Sequence, residues 1–254
     1  MAALNDATSK LELALRGIPV WLLAERALYF PGFHALVLAD THFGKATSFR
    51  AEGLAVPGGA TTDTLGRIQQ LLDRYAPDEM IVLGDFIHAA KQGEKDYLEE
   101  LQAWRESNGD LTIHLVEGNH DRHNRRVLKS LDLIVHAEGW AWNGFKLNHH
   151  PHGEHASNAE QKPGTESGHA ADLCETKRSM FALCGHLHPG VRLATGPKTS
   201  QVFPCFVLRE SEWILPAFGA FTGMKRVALE EEMSVVACVD GCVMHLPTAR
   251  SGRS

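Results

Sequence analysis

Five short clusters carry side chains able to hold divalent cations: Asp40-Thr41-His42, Gly84-Asp85, Gly118-Asn119-His120-Asp121, His149-His150 and Gly185-His186-Leu187-His188. Carboxylate, amide oxygen and imidazole are hard or borderline ligands, suited to divalent ions such as Mn2+, Fe2+ or Zn2+. A centre for two cations needs one anionic ligand shared between them, mixed nitrogen and oxygen donors around each, and open positions for water and substrate. Asp85 is the natural shared ligand, since it is the carboxylate of its cluster and follows a glycine that permits a tight turn. Such a pair activates water near neutral pH and offsets the charge that develops on a phosphoryl group. His120, next to Asn119, is placed to protonate the leaving oxygen, with Asp121 or Asp40 available to orient it.

The elements that must position these residues are short apolar strands. Runs at 35–39, 80–83, 111–116 and 180–184 each end at a cluster, and Asn143-Gly144 predicts a hairpin whose second strand delivers His149. In open α/β sheets, sites form in the loops beyond the carboxyl ends of strands. Residues 11–30 predict an opening hairpin around Gly17-Ile18-Pro19. Leu65, Ile68, Leu71, Leu72 and Tyr75 define one face of a helix over 61–75, capped by Thr61 or Asp63. A second helix over 95–106 turns Leu98, Leu101 and Trp104 inward, and strands are expected at 201–208, 211–215, 234–239 and 242–246. Residues 152–178, polar and without apolar period, are expected to form a mobile surface loop.

Clusters spread from Asp40 to His188 must converge on one site, so residues 1–254 are expected to form a single domain. With 25 basic and 31 acidic residues the formal charge is -6, which argues against a whole-surface nucleic-acid coat but leaves room for a local basic patch. The five cysteines are scattered and odd in number, giving neither a disulfide framework nor a Cys-x-x-Cys zinc site. The apolar stretch 18–24 is far too short to span a bilayer, so no membrane is expected and a reducing cytoplasm is the default location.

The ordered set of clusters resembles the calcineurin-like metallophosphoesterases over roughly residues 35–190. The resemblance implies a four-layer α/β/β/α sandwich of two mixed sheets flanked by helices. It also implies that Asp40, His42, Asp85 and His188 hold one metal and that Asp85, Asn119, His149 and His186 hold the other, with His120 as the general acid. One departure matters. The fourth motif of the superfamily is often His-Gly, whereas this chain has Asn148-His149-His150-Pro151, so His150 competes with His149 as the ligand. His88, three residues after Asp85, stands where many relatives carry Asn, Asp or His; it either touches substrate or is a loop histidine without a catalytic role.

Three further stretches, 38–45, 49–57 and 215–218, resemble the ligase-associated DNA-damage-response phosphoesterases, a subgroup of endonucleases placed beside a DNA ligase and a helicase. The cofactor this implies is a pair of divalent ions, Mn2+ first, with Zn2+ or Fe2+ as alternatives. The leading expectation is a phosphodiesterase or nuclease acting on DNA in repair, with that ligase and helicase as partners. A broad phosphatase or nucleotide phosphodiesterase is the second reading, and a repair-complex scaffold with incidental hydrolysis the third. Lys45 and Arg50, after the first ligands, and Arg122, Arg125 and Arg126, after His120, are the candidates for gripping substrate phosphates; each is equally readable as solvated helix surface.

Overall fold

A computed structural model describes residues 8–56, 58–88, 95–153, 180–228 and 233–246. The turn Arg16-Gly17, with φ of 51° and 85°, joins β1 (Lys10–Leu15) to β2 (Ile18–Leu23) as the expected opening hairpin. Positive φ at both central residues gives a turn whose twist matches that of the strands. Strands β3 (Leu28–Phe30) and β4 (Ala35–Leu38) continue antiparallel, and β5 (Glu79–Leu83), β6 (Thr112–Val116) and β7 (Ile134–His136) add in parallel. The result is a seven-stranded sheet in simple sequential order.

Parallel neighbours need crossovers. These are supplied by α1 (Lys45–Ala51) and α2 (Ala60–Tyr75) before β5, α3 (Lys95–Ser107) before β6, and α4 (Arg125–Ser130) before β7. Helix α2 buries Leu65, Ile68, Leu71 and Leu72 as its spacing requires. Its N-cap is Gly59 at φ 88°, not Thr61 or Asp63; Asp63 lies inside the first turn, where a carboxylate favours the helix dipole. In α3, Tyr97 and Leu101 are buried while Leu98 and Trp104 pack at the edge.

The second sheet opens with β8 (Trp140–Trp142) and β9 (Phe145–Leu147), joined by Asn143-Gly144 at φ 45° and 86°. It continues through β10 (Phe181–Cys184), β11 (Pro189–Ala194), β12 (Ser200–Arg209), β13 (Glu212–Ile214), β14 (Lys225–Arg226), β15 (Met233–Val239) and β16 (Cys242–Leu246). The order is β14-β11-β12-β13-β10-β9-β8, with β15 on β12 and β16 on β15. Parallel pairing of β10 with β9 and β13, among otherwise mostly antiparallel neighbours, makes this sheet mixed like the first. Strand β11 was not anticipated, because it opens on Pro189-Gly190; proline is tolerated at the first position of a strand.

Val37, Ile81, Leu83 and Val116 of the first sheet meet Phe145, Leu147, Leu183 and Phe206 of the second in the inter-sheet core. Each such side chain contributes about 1.5–3 kcal/mol relative to exposure. The other face of the first sheet packs Leu36, Leu38, Met80 and Val82 against α2, α3 and α4, and the far face of the second buries Val191, Val207, Ile214 and Met233. Cys184, Cys205, Cys238 and Cys242 are free thiols. No helix of the described residues is long and apolar enough to cross a membrane. Most of the loop expected at 152–178 lies outside the described residues.

Candidate metal centre

Asp40, Asp85, Asn119, His149 and His186 each stand two or three residues past the ends of β4, β5, β6, β9 and β10. The chain must turn sharply there, and it does so at a cost. Asp40 (φ 53°), His42 (48°), Asp85 (48°), His186 (69°) and His188 (46°) all adopt the left-handed conformation. Each costs on the order of 1–3 kcal/mol for a residue with a side chain, and such strain clusters where function requires a fixed geometry. Two glycines let the loops touch. A Cβ on Gly84 would strike the ring of His149, and one on Gly118 would strike the backbone nitrogen and carboxylate of Asp85.

The two sheets are stitched together at this edge. Phe218 N–H donates to the Ala39 carbonyl (2.8 Å) and Gly219 N–H to that of Asp40 (3.1 Å). Arg26 and Arg67 hold the 217–219 carbonyls, and the Arg67 guanidinium lies 4.4 Å over the Phe218 ring. Pro216-Ala217-Phe218 is therefore structural, closing the second sheet on the site.

Asp85 Oδ2 lies 3.6 Å from His149 Nε2, 3.8 Å from His42 Nε2 and 3.9 Å from His120 Nε2. Around it, two pairs of imidazole nitrogens face each other: His42 Nε2 with His188 Nε2 at 3.1 Å, and His149 Nε2 with His186 Nδ1 at 3.0 Å. Asp40 completes the arrangement, with Oδ1 3.5 Å from His188 Nε2 and 3.8 Å from His149 Nδ1, and Oδ2 accepting from His186 N–H at 2.8 Å. Nitrogen atoms facing one another around buried carboxylates are what a cation centre needs, and Asp85 Oδ2 lies between the His42 side and the His149 side as a shared ligand must.

The residues fit divalent cations on further grounds. Asp40 Oδ1 and His42 Nδ1 are buried without hydrogen-bond partners, a costly state that points to a bound group satisfying the lining. His149 Nδ1 donates to the Leu83 carbonyl (3.2 Å) and His188 Nδ1 to that of Gly223 (3.1 Å), which leaves both Nε2 lone pairs for a cation. Burial, with the nearby Lys45, His188 and His120, drives His42 far below its ordinary 6.5, and burial with His149 and His150 lowers His186. Neutral imidazoles are the ligand state.

His149 is fully buried against Asp85 and His186, whereas His150 turns its Nε2 to the Asn119 side-chain nitrogen (3.2 Å) and its Nδ1 to Glu138 (2.8 Å). Nitrogens of His149, His150 and His186 are still close enough to share one ion, so proximity alone does not separate the two neighbours. His120 is at the mouth of the site with its side chain 40% exposed, and its backbone N–H donates to Asp85 Oδ1 (3.0 Å).

Asp121 departs from the expected orienting role. Its Oδ1 accepts from Ile87 N–H (3.1 Å) and its Oδ2 from Gly118 N–H (3.0 Å), so both oxygens serve the loop backbones and not the His120 ring. Burial pushes its carboxyl up to about 6, partly offset by those two N–H groups. His88 stands 4.3 Å from the His120 ring, centroid to centroid, with its Nδ1 buried and unpartnered. Burial, then His120 and Lys45, push His88 down to about 4.

The candidate phosphate grips differ from one another. Lys45 is half-buried beside the centre; burial lowers its pKa while Asp85 and Asp40 pull it up. Arg50 is exposed on α1 and donates to Thr47 (3.0 Å). Arg125 is bound bidentately by Glu117, at 2.8 and 3.1 Å, and Arg122 lies 3.8 Å from the same carboxylate. Arg126 is exposed on α4 without an ion pair among the described residues. Within the expected basic patch Glu117 therefore engages Arg125 closely and Arg122 at longer range.

Two features escaped sequence reasoning. Glu138, in the turn before β8, organises His149 and His150, and no spacing signals it. Phe49 stands 6.3 Å from the His88 ring and 5.7 Å from Phe221, and Phe221 and Met224 are exposed on the segment whose Gly223 carbonyl meets His188. Together they form an apolar ledge beside the metal centre.

A family model described as calcineurin-like phosphoesterase matches residues 33–169. The crystal structure of the nuclease MPE from Pseudomonas putida is similar over 93% of this chain and 100% of its own, at 31% identity and a TM-score of 0.73. A protein of unknown function from Aquifex aeolicus shows 24% identity and a TM-score of 0.33 over 46% of this chain and 60% of its own, too weak to bear on the fold. No curated protein matches the sequence significantly.

Proposed function

Because the chain belongs to the calcineurin-like phosphoesterase family, and is thereby a metal-dependent phosphoesterase, we propose that it cleaves phosphodiester bonds of DNA in repair, with two Mn2+ ions as its working metals. The observation that carries this is Asp85 Oδ2 at 3.6–3.9 Å from three imidazole nitrogens, flanked by two facing histidine pairs. Asp40, His42, Asp85 and His188 would hold one ion, and Asp85, Asn119, His149 and His186 the other. When bound, such a pair lowers the pKa of water and neutralises charge on the phosphoryl oxygens.

The chain's own residues supply the rest. His120, half-exposed at the mouth, delivers a proton to the leaving oxygen. Lys45 places a positive charge where a substrate phosphate approaches Asp40 and Asp85. Asp121 keeps the Asn119-His120 loop against the strand-β5 loop through Gly118 and Ile87. Nucleic acid is favoured over a small phosphomonoester by Phe221, exposed and packed edge-on to the half-buried Phe49, since bases stack on exposed aromatic side chains whatever their sequence. The likeness to a solved structure named as a nuclease supports the same choice, and the subgroup resemblance of the 38–57 and 215–218 stretches supports a setting with a DNA ligase and a helicase.

The test is turnover of single-stranded DNA, a bis-aryl phosphodiester and an aryl phosphomonoester under identical Mn2+, with Asp85→Asn as control. DNA and the diester should be cleaved and the monoester left nearly untouched. Asp85→Asn should lose metal by elemental analysis and lose all three activities. Preference for the monoester would turn the proposal toward a phosphatase, and two tight metals with near-normal turnover in Asp85→Asn would refute the shared-ligand role.

A further inference from the structure

Glu138, His150 and Asn119 form one hydrogen-bonded line leading to the metal centre, and the direction of its donors can be worked out atom by atom. Glu138 Oε1 lies 3.0 Å from His149 N, 2.7 Å from His150 N and 2.8 Å from His150 Nδ1. The two backbone groups can only donate. An oxygen that already receives two N–H groups has no room for a proton of its own, so His150 Nδ1 must donate to it as well. In a neutral imidazole the other nitrogen is then an acceptor, which commits His150 Nε2. The Asn119 atom 3.2 Å from that nitrogen must therefore be the NH2 group. Its carbonyl oxygen, the one atom of that side chain able to ligate a cation, is left for the centre.

Asparagine is the one candidate ligand for which this matters, because its two ends have nearly the same shape and opposite chemistry. Turned the other way, Asn119 would present N–H groups to a cation. We infer that His150 and Glu138 are positioning residues: they hold the Asn119 amide with its oxygen available to metal, and His150 does not ligate the metal itself. Burial of His150, 6% exposed, keeps water from competing for Nε2. The inference rests on the two-metal reading above and names how that site selects its ligand atom.

The experiment is Mn2+ binding by calorimetry, with stoichiometry from elemental analysis and folding checked by thermal melting. His150→Phe keeps the ring and removes the acceptor; it should weaken one of two Mn2+ equivalents by about 10–100-fold, the usual worth of an outer partner, without removing that equivalent. Glu138→Ala, at a more exposed position, should act in the same direction and serves as the second variant if His150→Phe folds poorly. In an Asn119→Asp background either change should cost little, because a carboxylate offers oxygen at both ends and needs no orienting. Loss of a whole equivalent from His150→Phe in both backgrounds would make His150 a ligand, and an equal loss of affinity in both would make it mere packing. Either result overturns the inference while leaving the two-metal reading standing. A wild-type chain that binds fewer than two equivalents refutes that reading and takes this inference with it.

Discussion

Removing the His120 imidazole should separate the proposed proton delivery from metal binding, because the two would rest on different parts of the residue. The backbone N–H of His120 bonds Asp85 Oδ1 (3.0 Å), and Asn124 Nδ2 donates to the His120 carbonyl (2.9 Å); His120→Ala keeps both. The ring itself is 40% exposed, and its nearest carboxylate oxygen, Asp85 Oδ2, is 3.9 Å away, beyond hydrogen-bond reach. Stability should therefore change by no more than about 0.5 kcal/mol, as for other exposed side chains outside special features. Both metals should remain. What is lost is the proton for the leaving alkoxide, worth about 10²–10⁴-fold in rate, or roughly 3–5 kcal/mol of barrier. His88 is poorly suited to take over, since burial and its neighbours push it down to about 4. The assay compares kcat on single-stranded DNA with kcat on bis(4-nitrophenyl) phosphate at saturating Mn2+. Nitrophenolate leaves without protonation, so the loss should be large on DNA and small on the aryl diester. Equal losses on both substrates, or loss of metal from His120→Ala, would refute the assignment.

The structure divides the basic residues after His120. Arg126→Ala should raise KM for single-stranded DNA and flatten its salt dependence by about 0.7 of a unit of slope, one phosphate contact on a single strand, while Arg125→Ala, already neutralised by Glu117, should do less; identical effects of the two, or an equal effect on the aryl diester, would leave Arg126 as plain surface. A second expectation concerns acid stability. Burial lowers His114 below its ordinary 6.5, so the unfolded chain takes up the proton first as pH falls. Stability from this group is present above about 6.5 and is lost as pH drops through the window beneath it. Glu79 Oε2, 3.3 Å from His114 Nε2, moderates the loss by pairing with the protonated ring. Urea melts between pH 7.5 and 5.5 should show a shallower acid decline in His114→Gln than in the wild type and a steeper one in Glu79→Gln; unchanged slopes would contradict the argument.

Which parts were legible follows from the range over which each signal acts. A short apolar strand that ends in a candidate ligand announces itself locally, and 35–39, 80–83, 111–116 and 180–184 all became strands within a residue or two. The hairpin at Asn143-Gly144 is written in two residues that tolerate positive φ, and that at Arg16-Gly17 in its glycine alone. Roles decided across the fold were not legible. Asp121 sits next to His120 in sequence, yet its carboxylate is spent on Ile87 and Gly118 because burial obliges it to find N–H groups. Glu117 precedes the basic run it engages, but only the turn of α4 brings Arg125 back onto it.

The choice between His149 and His150 lies between these cases. Successive side chains in an extended segment point to opposite faces, and β9 carries that parity as far as Leu147. The turn at Asn143-Gly144 sets that parity, with Phe145 and Leu147 both buried in the inter-sheet core; beyond Leu147 the chain bends, and nitrogens of both His149 and His150 reach His186. The sequence therefore held the parity of β9 as far as the bend that follows Leu147. It held no sign of what His150 would meet, because Glu138 and Asn119 arrive from the turn before β8 and the loop after β6, and only the packed fold brings those two loops to one side chain.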